Sequence, residues 1–268
     1  MSDTDHFNVE HEDHIAWLTL NRPAKRNVMG AAFFEELSQL LMELDRDSGV
    51  RVVVIKAEGK SFTAGTDLNE AASLLSGEGA DQRENTRIKI LALQAGLTAI
   101  EKCRKPVIAA IHSHCIGGGV DLISACDIRL ATEDAVFSIR ETRMGIIADL
   151  GTLQRLPYII GQGWFRELAL TGRDFTAAEA LQMGLLTRVC EDRAALYAAA
   201  KALAVQIAEC PPLTVQGVKD VILYSRDHGI ASGLEYVAQK NTAALPSEDV
   251  VEAVTAFMEK RKPKFIGR

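Results

Sequence analysis

The stretch CIGGGVDLISACDIRL, residues 115–130, is the most informative part of this sequence of 268 residues. Its three successive glycines, 117–119, lead directly into an acidic residue, Asp121, within an apolar surround. Glycines let a backbone approach a ligand closely and leave N–H groups pointing at it, and a helix that follows adds the positive end of its dipole. We therefore predict a helix over residues 118–125 whose N-terminus faces a bound group.

Two further carboxyl groups follow downstream, at Glu141 and Asp149. Asp149 lies in the apolar segment GIIADLGT, residues 145–152, and Asp121 lies between two apolar neighbours. Taken singly, Glu141 and Asp149 would be interpreted as exposed residues of a chain with 36 acidic residues. Acids in apolar segments are seldom buried without a partner or a task, and burial raises their pKa toward the working range of an acid/base catalyst. Hydrogen-bond donors for an oxyanion beside three such acids indicate carbonyl chemistry.

The first two thirds of the chain alternate short apolar strands with helices. Periodicity predicts strands over 15–20, 50–57, 107–111 and 128–131, and helices over 31–44, 83–103 and 118–125. This alternation alone predicts only the α/β class. From Arg193 onward the signals are helical, over 194–208, 213–225, 232–244 and 247–260, with Ser247 as the N-cap of the last helix.

Composition excludes several classes of protein. A net charge of −6 argues against a general nucleic-acid binder, and no apolar run is long enough to span a membrane. The five cysteines form no CxxC pair, so we expect free thiols. The acidic N-terminal segment lacks the pattern of a secretory or transit signal, which predicts a cytoplasmic location.

No metal and no nicotinamide or flavin cofactor is expected. His112, His114 and Cys115 end a predicted strand, where side chains alternate between faces, and no second ligand cluster accompanies them. A GxGxxG segment that opens a helix after a strand is also missing from the sequence.

Four segments together resemble the crotonase, or enoyl-CoA hydratase/isomerase, superfamily over nearly the whole chain. They are NRPAKRNVMG (21–30), KSFTAGTDL (60–68), KPVIAAIHSHCIGGGVDL (105–122) and GTLQRLPYIIG (151–161), in the order and spacing of that family. The resemblance implies a spiral of ββα repeats with two roughly perpendicular sheets, followed by a C-terminal helical trimerisation region. We accordingly predict a catalytic core over residues 1–205 and an oligomerisation region over 206–268, in a homotrimer or hexamer.

The resemblance also implies roles for individual residues. The pattern Asp121, Glu141 and Asp149 resembles the Δ3,5-Δ2,4-dienoyl-CoA isomerases, whereas typical hydratases carry two glutamates and an uncharged third residue. In that group Asp149 matches the base at substrate carbon C2, Glu141 the acid at C6, and Asp121 a residue that tunes the pair. The N–H groups of Thr66 and Gly118 match the two donors of an oxyanion hole.

The resemblance implies contacts with the coenzyme A thioester near both ends of the chain and in the two glycine-containing loops. The expected substrate-binding residues are Arg26, Thr63, Ala64, Gly65, Thr66, Asp67, Gly118 and Lys260. The basic segment 260–264 has two interpretations, a solvated tail or a site for the phosphates of coenzyme A, and the same two apply to Arg26. Coenzyme A would be part of the substrate, so the chemistry needs no separate cofactor.

Three functions therefore remain open for the sequence. The first is isomerisation of a 3,5-dienoyl-CoA thioester to the 2,4-dienoyl thioester through a dienolate. The second is hydration of a 2-enoyl-CoA thioester, in which two acids activate water. The third is a non-catalytic binding protein on a crotonase scaffold, including an RNA-binding one, because fold alone does not prove activity.

Overall fold

The computed structural model describes residues 6–70 and 79–268, and its elements follow the predicted alternation. The strands are β1 (Phe7–Glu12), β2 (Ile15–Leu20), β3 (Val52–Ala57), β4 (Val107–Ile111), β5 (His114–Ile116), β6 (Ile128–Thr132), β7 (Val136–Ser138), β8 (Asp174–Thr176) and β9 (Arg188–Cys190). The α-helices are α1 (Ala31–Arg46), α2 (Ala80–Lys102), α3 (Gly118–Ala125), α4 (Thr152–Arg155), α5 (Pro157–Thr171), α6 (Ala177–Gln182), α7 (Arg193–Ala208), α8 (Pro212–His228), α9 (Ile230–Ala244) and α10 (Glu248–Glu259).

The strands form two sheets. The larger sheet has the order β1-β2-β3-β4-β6-β9, in which β1 and β2 are antiparallel and the remaining neighbours are parallel. The smaller sheet has the order β5-β7-β8. The predicted α/β class is confirmed, and so is the presence of two sheets.

The larger sheet is buried on both faces around β3, which explains the apolar run Val52–Ile55 of that strand. Val53 and Ile55 point into a core that also contains α1, α2 and α3. Val52 and Val54 point to the opposite face, where Leu196 and the alanines of α7 cover them. Because side chains alternate along a strand, a strand between two apolar layers needs apolar residues at every position.

The predicted boundaries differ from the observed ones by a few residues. Helix α2 begins at Ala80 rather than at Arg83, and β3 begins at Val52 rather than at Val50. Ser247 caps α10 as predicted, since its side chain accepts a hydrogen bond from the N–H of Val250 at 3.3 Å. Strand β1 was not predicted, since only Phe7 and Val9 of its six residues are apolar. The three-residue strands were not predicted because three residues carry too little periodicity.

The C-terminal helices divide into two kinds. Helix α7 packs on the larger sheet along its whole length to Ala208, so the predicted boundary between residues 205 and 206 falls inside this helix. Helices α8 and α9 pack on each other, and α10 keeps large apolar side chains such as Phe257 exposed. In the described ranges, no helix is both long and apolar enough to cross a membrane.

Candidate active site

The loop over residues 60–68, called the first loop, runs beside strand β5. The N–H of Thr63 donates to the carbonyl oxygen of His114 at 3.0 Å, and the N–H of Ile116 donates to the carbonyl oxygen of Thr63 at 3.3 Å. Gly65 has a φ of +96°, and a Cβ there would lie 2.6 Å from the carbonyl oxygen of Ile116. Only glycine fits this backbone without strain, and this close approach brings the next residue, Thr66, to the start of α3.

Two backbone donors meet where this loop reaches α3. A Cβ placed on Gly118 would lie 3.6 Å from the backbone nitrogen of Thr66. Across residues 6–70 and 79–268, no carbonyl or side chain accepts a hydrogen bond from the N–H of Thr66 or of Gly118. Two adjacent donors without a partner, one of them at a helix N-terminus, suit the binding of an oxygen that carries negative charge.

A cavity of about 320 Å³ opens beside these donors. Its walls are largely apolar, and Thr86, Ile90 and Leu93 of α2 form one side. The residues that line it are Ala64, Gly65, Thr66, Leu68, Thr86, Ile90, Leu93, Ile116, Gly117, Gly118, Arg140, Glu141, Met144, Ile146, Asp149 and Leu150. The cavity thus combines the two donors with two of the three predicted acids and space for an apolar chain.

Asp121 lies in α3, outside the cavity lining, and is only 1% exposed. Its Oδ1 atom accepts a hydrogen bond from the N–H of Thr152 at 2.6 Å. Burial raises the pKa of Asp121 to about 6, while the bond from Thr152 favours the charged form. Asp121 is therefore separated from the cavity by its neighbours.

Glu141 enters the cavity from a short 3-10 helix, Arg140–Met144, that follows β7. The N–H of Gly117 donates to the carbonyl oxygen of Ser138 at 2.8 Å, and a Cβ on Gly117 would lie 3.1 Å from Oε1 of Glu141. Burial, reinforced by the charges of Asp121 and Asp149, raises the pKa of Glu141 to about 7. Its Oε2 atom is buried and has no hydrogen-bond partner within the described ranges. Leaving such an oxygen charged is costly, so these observations favour a protonated Glu141 near neutral pH.

Asp149 is the least deeply buried of the three acids, and burial raises its pKa as well. Its backbone carbonyl oxygen accepts a hydrogen bond from Nε2 of Gln94, on α2, at 2.6 Å. Because the charge of Asp149 is one of the causes that raise the pKa of Glu141, the arrangement favours one proton on Glu141 and a charge on Asp149. A base and an acid then share one cavity.

The remaining predicted binding residues separate into two groups. Most belong to the first loop: Ala64 donates its N–H to the carbonyl oxygen of Arg26 at 2.9 Å, and Asp67 donates its N–H to Met29. The buried hydroxyl of Thr63 accepts the N–H of Gly65 at 3.0 Å. Lys260 is exposed at the end of α10 and does not line the cavity.

Histidines and cysteines do not assemble into a metal site in the part of the chain that the structure describes. His112 is buried, its Nε2 atom lies 3.3 Å from the carbonyl oxygen of Gly59, and burial lowers its pKa to about 4. This places His112 in the core as a neutral side chain.

Sequence reasoning missed three residues that contact the acids or the segment between them. Gln94 donates to the backbone carbonyl oxygen of Asp149, and the N–H of Thr152 donates to the side chain of Asp121. The guanidinium of Arg155 donates to the carbonyl oxygen of Leu150, in the same short segment, residues 149–152. Arg155 was visible within the segment GTLQRLPYIIG, but its contacts join residues from distant parts of the chain. Only the fold shows which carbonyl oxygen it meets.

The fold and the site together define a class of protein. The model of the family described as enoyl-CoA hydratase/isomerase matches residues 10–268, and the chain belongs to this family. A crystal structure of an enoyl-CoA hydratase from Bacillus anthracis is similar, with a TM-score of 0.91 and 33% identity, covering 98% of this chain and 100% of that one. This likeness supports the crotonase fold expected from the sequence.

Within the family, two proteins named as dienoyl-CoA isomerases are more similar to the chain than one named as a probable hydratase. It is 47% identical over 260 residues to a mitochondrial Delta(3,5)-Delta(2,4)-dienoyl-CoA isomerase of Mus musculus, covering 95% of this chain and 80% of the relative. It is 48% identical over 253 residues to the peroxisomal isomerase of the same name from Arabidopsis thaliana, covering 92% and 91%. A probable enoyl-CoA hydratase of Bacillus subtilis is 36% identical over 256 residues, covering 96% of each.

Proposed function

We propose that this protein isomerises 3,5-dienoyl-CoA thioesters to 2,4-dienoyl-CoA thioesters. The observation that carries the proposal is the pair of acids, Glu141 and Asp149, in one apolar cavity beside two N–H groups that have no acceptor among the described residues. A shift of two conjugated double bonds needs these parts and no others: a base, an acid, and donors for the charge that develops between the two proton transfers.

The reaction proceeds by two proton transfers. The N–H groups of Thr66 and Gly118 bind the thioester oxygen, and the charged Asp149 removes a proton from C2. The resulting dienolate places its negative charge on that oxygen and delocalises it along the chain. Glu141 then donates its proton at C6, which leaves the double bonds at C2 and C4. Two acids are required because C2 and C6 are too far apart for one group to reach.

Asp121 has a supporting role in this scheme. It is buried behind the cavity, and its charge is one of the causes that raise the pKa of Glu141. A proton is thereby kept on Glu141 in the pH range where Asp149 can lose its own. All of the chemical steps move protons between these groups and the substrate, so the mechanism requires no cofactor other than the coenzyme A of the substrate itself.

The hydratase reaction is the second candidate, since the Bacillus relatives are named for it. A hydratase adds an activated water with two acids, and in the pattern that the sequence resembles its third position is uncharged. Asp149 occupies that third position and lines the cavity, which favours isomerisation. A purely binding role is disfavoured because Glu141, Asp149 and the two donors line one cavity.

The decisive experiment is an assay of the purified protein with a 3,5-dienoyl-CoA, which follows the absorbance of the conjugated 2,4-dienoyl product. We expect rapid isomerisation, with much slower hydration of a 2-enoyl-CoA under the same conditions. Fast hydration with no isomerisation would replace this function with the hydratase. Calorimetric titration with the thioester and with the free acid should show that the acid binds much more weakly, because coenzyme A supplies remote contacts.

We also propose that the protein assembles as a homotrimer or as a hexamer of two trimers. Helices α8–α10 expose large apolar side chains that one chain leaves uncovered, among them Ile222, Leu234, Val254 and Phe257. Closed symmetry is the usual arrangement of soluble homo-oligomers. Light scattering at micromolar concentration should give the mass of a trimer or hexamer, and a monomer would contradict the proposal. Lys260 would then bind a coenzyme A phosphate across a subunit boundary.

A further inference from the structure

We infer that Arg155, fixed by Glu101, is a positioning residue for the two aspartates of the site. It holds the turn formed by residues 149–152, from which Asp149 enters the cavity and Thr152 binds Asp121. This inference rests on the proposed function for its kinetic consequences, but the position of the turn can be measured without any reaction.

Three of the four residues of the turn form the hydrogen bonds that connect it to its surroundings. Nε2 of Gln94 donates to the carbonyl oxygen of Asp149 at 2.6 Å, and Nη1 of Arg155 donates to that of Leu150 at 3.3 Å. The N–H of Thr152 donates to Oδ1 of Asp121 at 2.6 Å. The backbone of one short turn therefore links both aspartates to α2 and to Arg155.

Gly151 shows that Arg155 lies directly against this turn. Its φ is +125°, and a Cβ at this position would overlap the Nη1 atom of Arg155. The absence of a side chain at Gly151 is thus what lets the guanidinium reach the carbonyl oxygen of Leu150. Burial raises the pKa of Asp121, and the guanidinium is close enough for its charge to oppose part of this rise.

The guanidinium is itself fixed by a largely buried ion pair. Its Nε and Nη2 atoms each lie 3.1 Å from Oε2 of Glu101, and Nη2 donates to Oγ1 of Thr98 at 3.2 Å. The two charged side chains are 10% and 14% exposed. Burying an ion pair usually brings little net stability compared with apolar residues of the same size, whereas the planar guanidinium fixes several partners in one geometry. Placement of the turn accounts for the pair better than stability does.

Glu101 also connects the turn to the C-terminal helices. Its other carboxylate oxygen, Oε1, binds Arg226 of α8, which also pairs with Asp227. Within residues 6–70 and 79–268, Arg226 thus reaches the turn only through Glu101 and Arg155. If the network works by positioning, the loss of activity should decrease in the order Arg155, Glu101, Arg226.

The kinetic test uses Arg155→Met and Arg155→Lys. A displacement of the order of 1 Å at a reacting group can cost roughly 100-fold, so we expect Arg155→Met to lower kcat by about 10- to 100-fold with KM nearly unchanged. Arg155→Lys keeps the charge without the planar donor set, so it should recover only part of kcat. In an Asp149→Asn background the Arg155→Met change should add little, because the group it positions is already inactive.

Lys219→Met is the matched control. Lys219, on the same helix as Arg226, is 6% exposed and forms another ion pair, 2.7 Å from Asp127. Its Nζ atom also donates to the carbonyl oxygens of Ile100 and Lys105 rather than to the turn. This variant should lower the melting temperature while kcat of the folded protein stays at the unmodified value. An equal loss of kcat in Lys219→Met and Arg155→Met would overturn the positioning role.

Amide hydrogen exchange gives a readout that does not depend on turnover. The Thr152 amide should exchange faster in Arg155→Met than in the unmodified protein. If Arg155→Met does not fold, Glu101→Gln replaces it and should show the same change to a smaller extent. Unchanged exchange at Thr152 together with unchanged kcat would refute the inference while leaving the isomerase function intact. An unmodified protein without isomerase activity would refute the function, and the exchange at Thr152 would still decide the role of Arg155.

Discussion

The two sides of the cavity are built from different parts of the chain. The donor corner, which comprises Gly65–Thr66 and Gly117–Gly118, presents backbone N–H groups, and glycines permit the close approach of its two loops. The acid wall, which comprises Glu141 and Asp149 with Asp121 buried behind them, contains side chains whose pKa values burial raises. A backbone site depends on the space around Cα, whereas a side-chain site depends on which atoms the residue carries.

This difference predicts opposite sensitivities to mutation. Removing the chemical group of an acid should abolish a step while the fold stays intact. In the donor corner, adding a single methyl group at a glycine should be harmful, and changing the side chain that accompanies a donor should matter little. The proposed mechanism can be tested by substitutions that separate these two behaviours.

The largest effect is expected at the acid wall, for Asp149→Asn. The amide keeps the size of the side chain but removes the base, so kcat should fall by roughly 10²- to 10⁴-fold. Affinity for the thioester should change little, because the donor corner is untouched. Stopped-flow assays and calorimetric titration measure the two quantities, and Asp13→Asn, at an exposed turn, is the control. Near-normal isomerisation by Asp149→Asn would contradict the proposed base.

Gly65→Ala should produce the next largest loss. The added Cβ would lie 2.6 Å from the carbonyl oxygen of Ile116, at a φ of +96°, so the loop must shift and carry the Thr66 donor away. Loss of one oxyanion donor costs roughly 3 kcal/mol, or about 100-fold in kcat. Gly163→Ala is the matched control, since a Cβ there meets no atom within 4 Å. Equal kcat values for the two variants would remove the donor corner from the mechanism.

The sequence predicts most of the fold because its signals are local. The buried strand β3 and the helix α3 follow from continuous apolar patterns and from a glycine run, and both were found where expected. The pairing of β5 with β7 could not be predicted, since three-residue strands such as β5 are stabilised by contacts with distant segments. The superfamily resemblance, rather than periodicity, identified the spiral.

The site shows the same division between local and distant information. Motif order indicates Asp121, Glu141 and Asp149, but the sequence does not reveal which acid holds a proton, because that depends on burial and on the neighbouring charges. Burial and the charges of Asp121 and Asp149 raise the pKa of Glu141 to about 7, which favours the proton on Glu141. The link from Gln94 to Asp149 was equally invisible, since it joins residues 55 positions apart.

A moderate effect on stability is expected for Glu141→Gln. A carboxyl whose pKa is raised from 4.5 to about 7 by folding stabilises the protein below pH 4.5, and this contribution is lost as the pH rises through 7. Glutamine has no such loss. The free energy of unfolding of the variant relative to that of the unmodified protein should therefore increase by roughly 1 to 3 kcal/mol from pH 5 to pH 8. Urea denaturation at the two pH values measures this difference, with Glu191→Gln, an exposed site, as control. A gain of the same size at pH 5 and pH 8 would show that Glu141 is not protonated through burial.

The smallest effect is expected for Thr66→Ala, although Thr66 lies at the centre of the donor corner. The proposed donor is its backbone N–H, which the substitution retains, and only a hydroxyl and a methyl group at the cavity edge are removed. We expect kcat/KM to change by no more than about threefold. Replacing the amide at position 66 by an ester removes the N–H and keeps the threonine side chain, so this change should cost roughly 3 kcal/mol. If Thr66→Ala were as damaging as the ester, the side chain would carry the function, and the distinction between a backbone corner and a side-chain wall would fail.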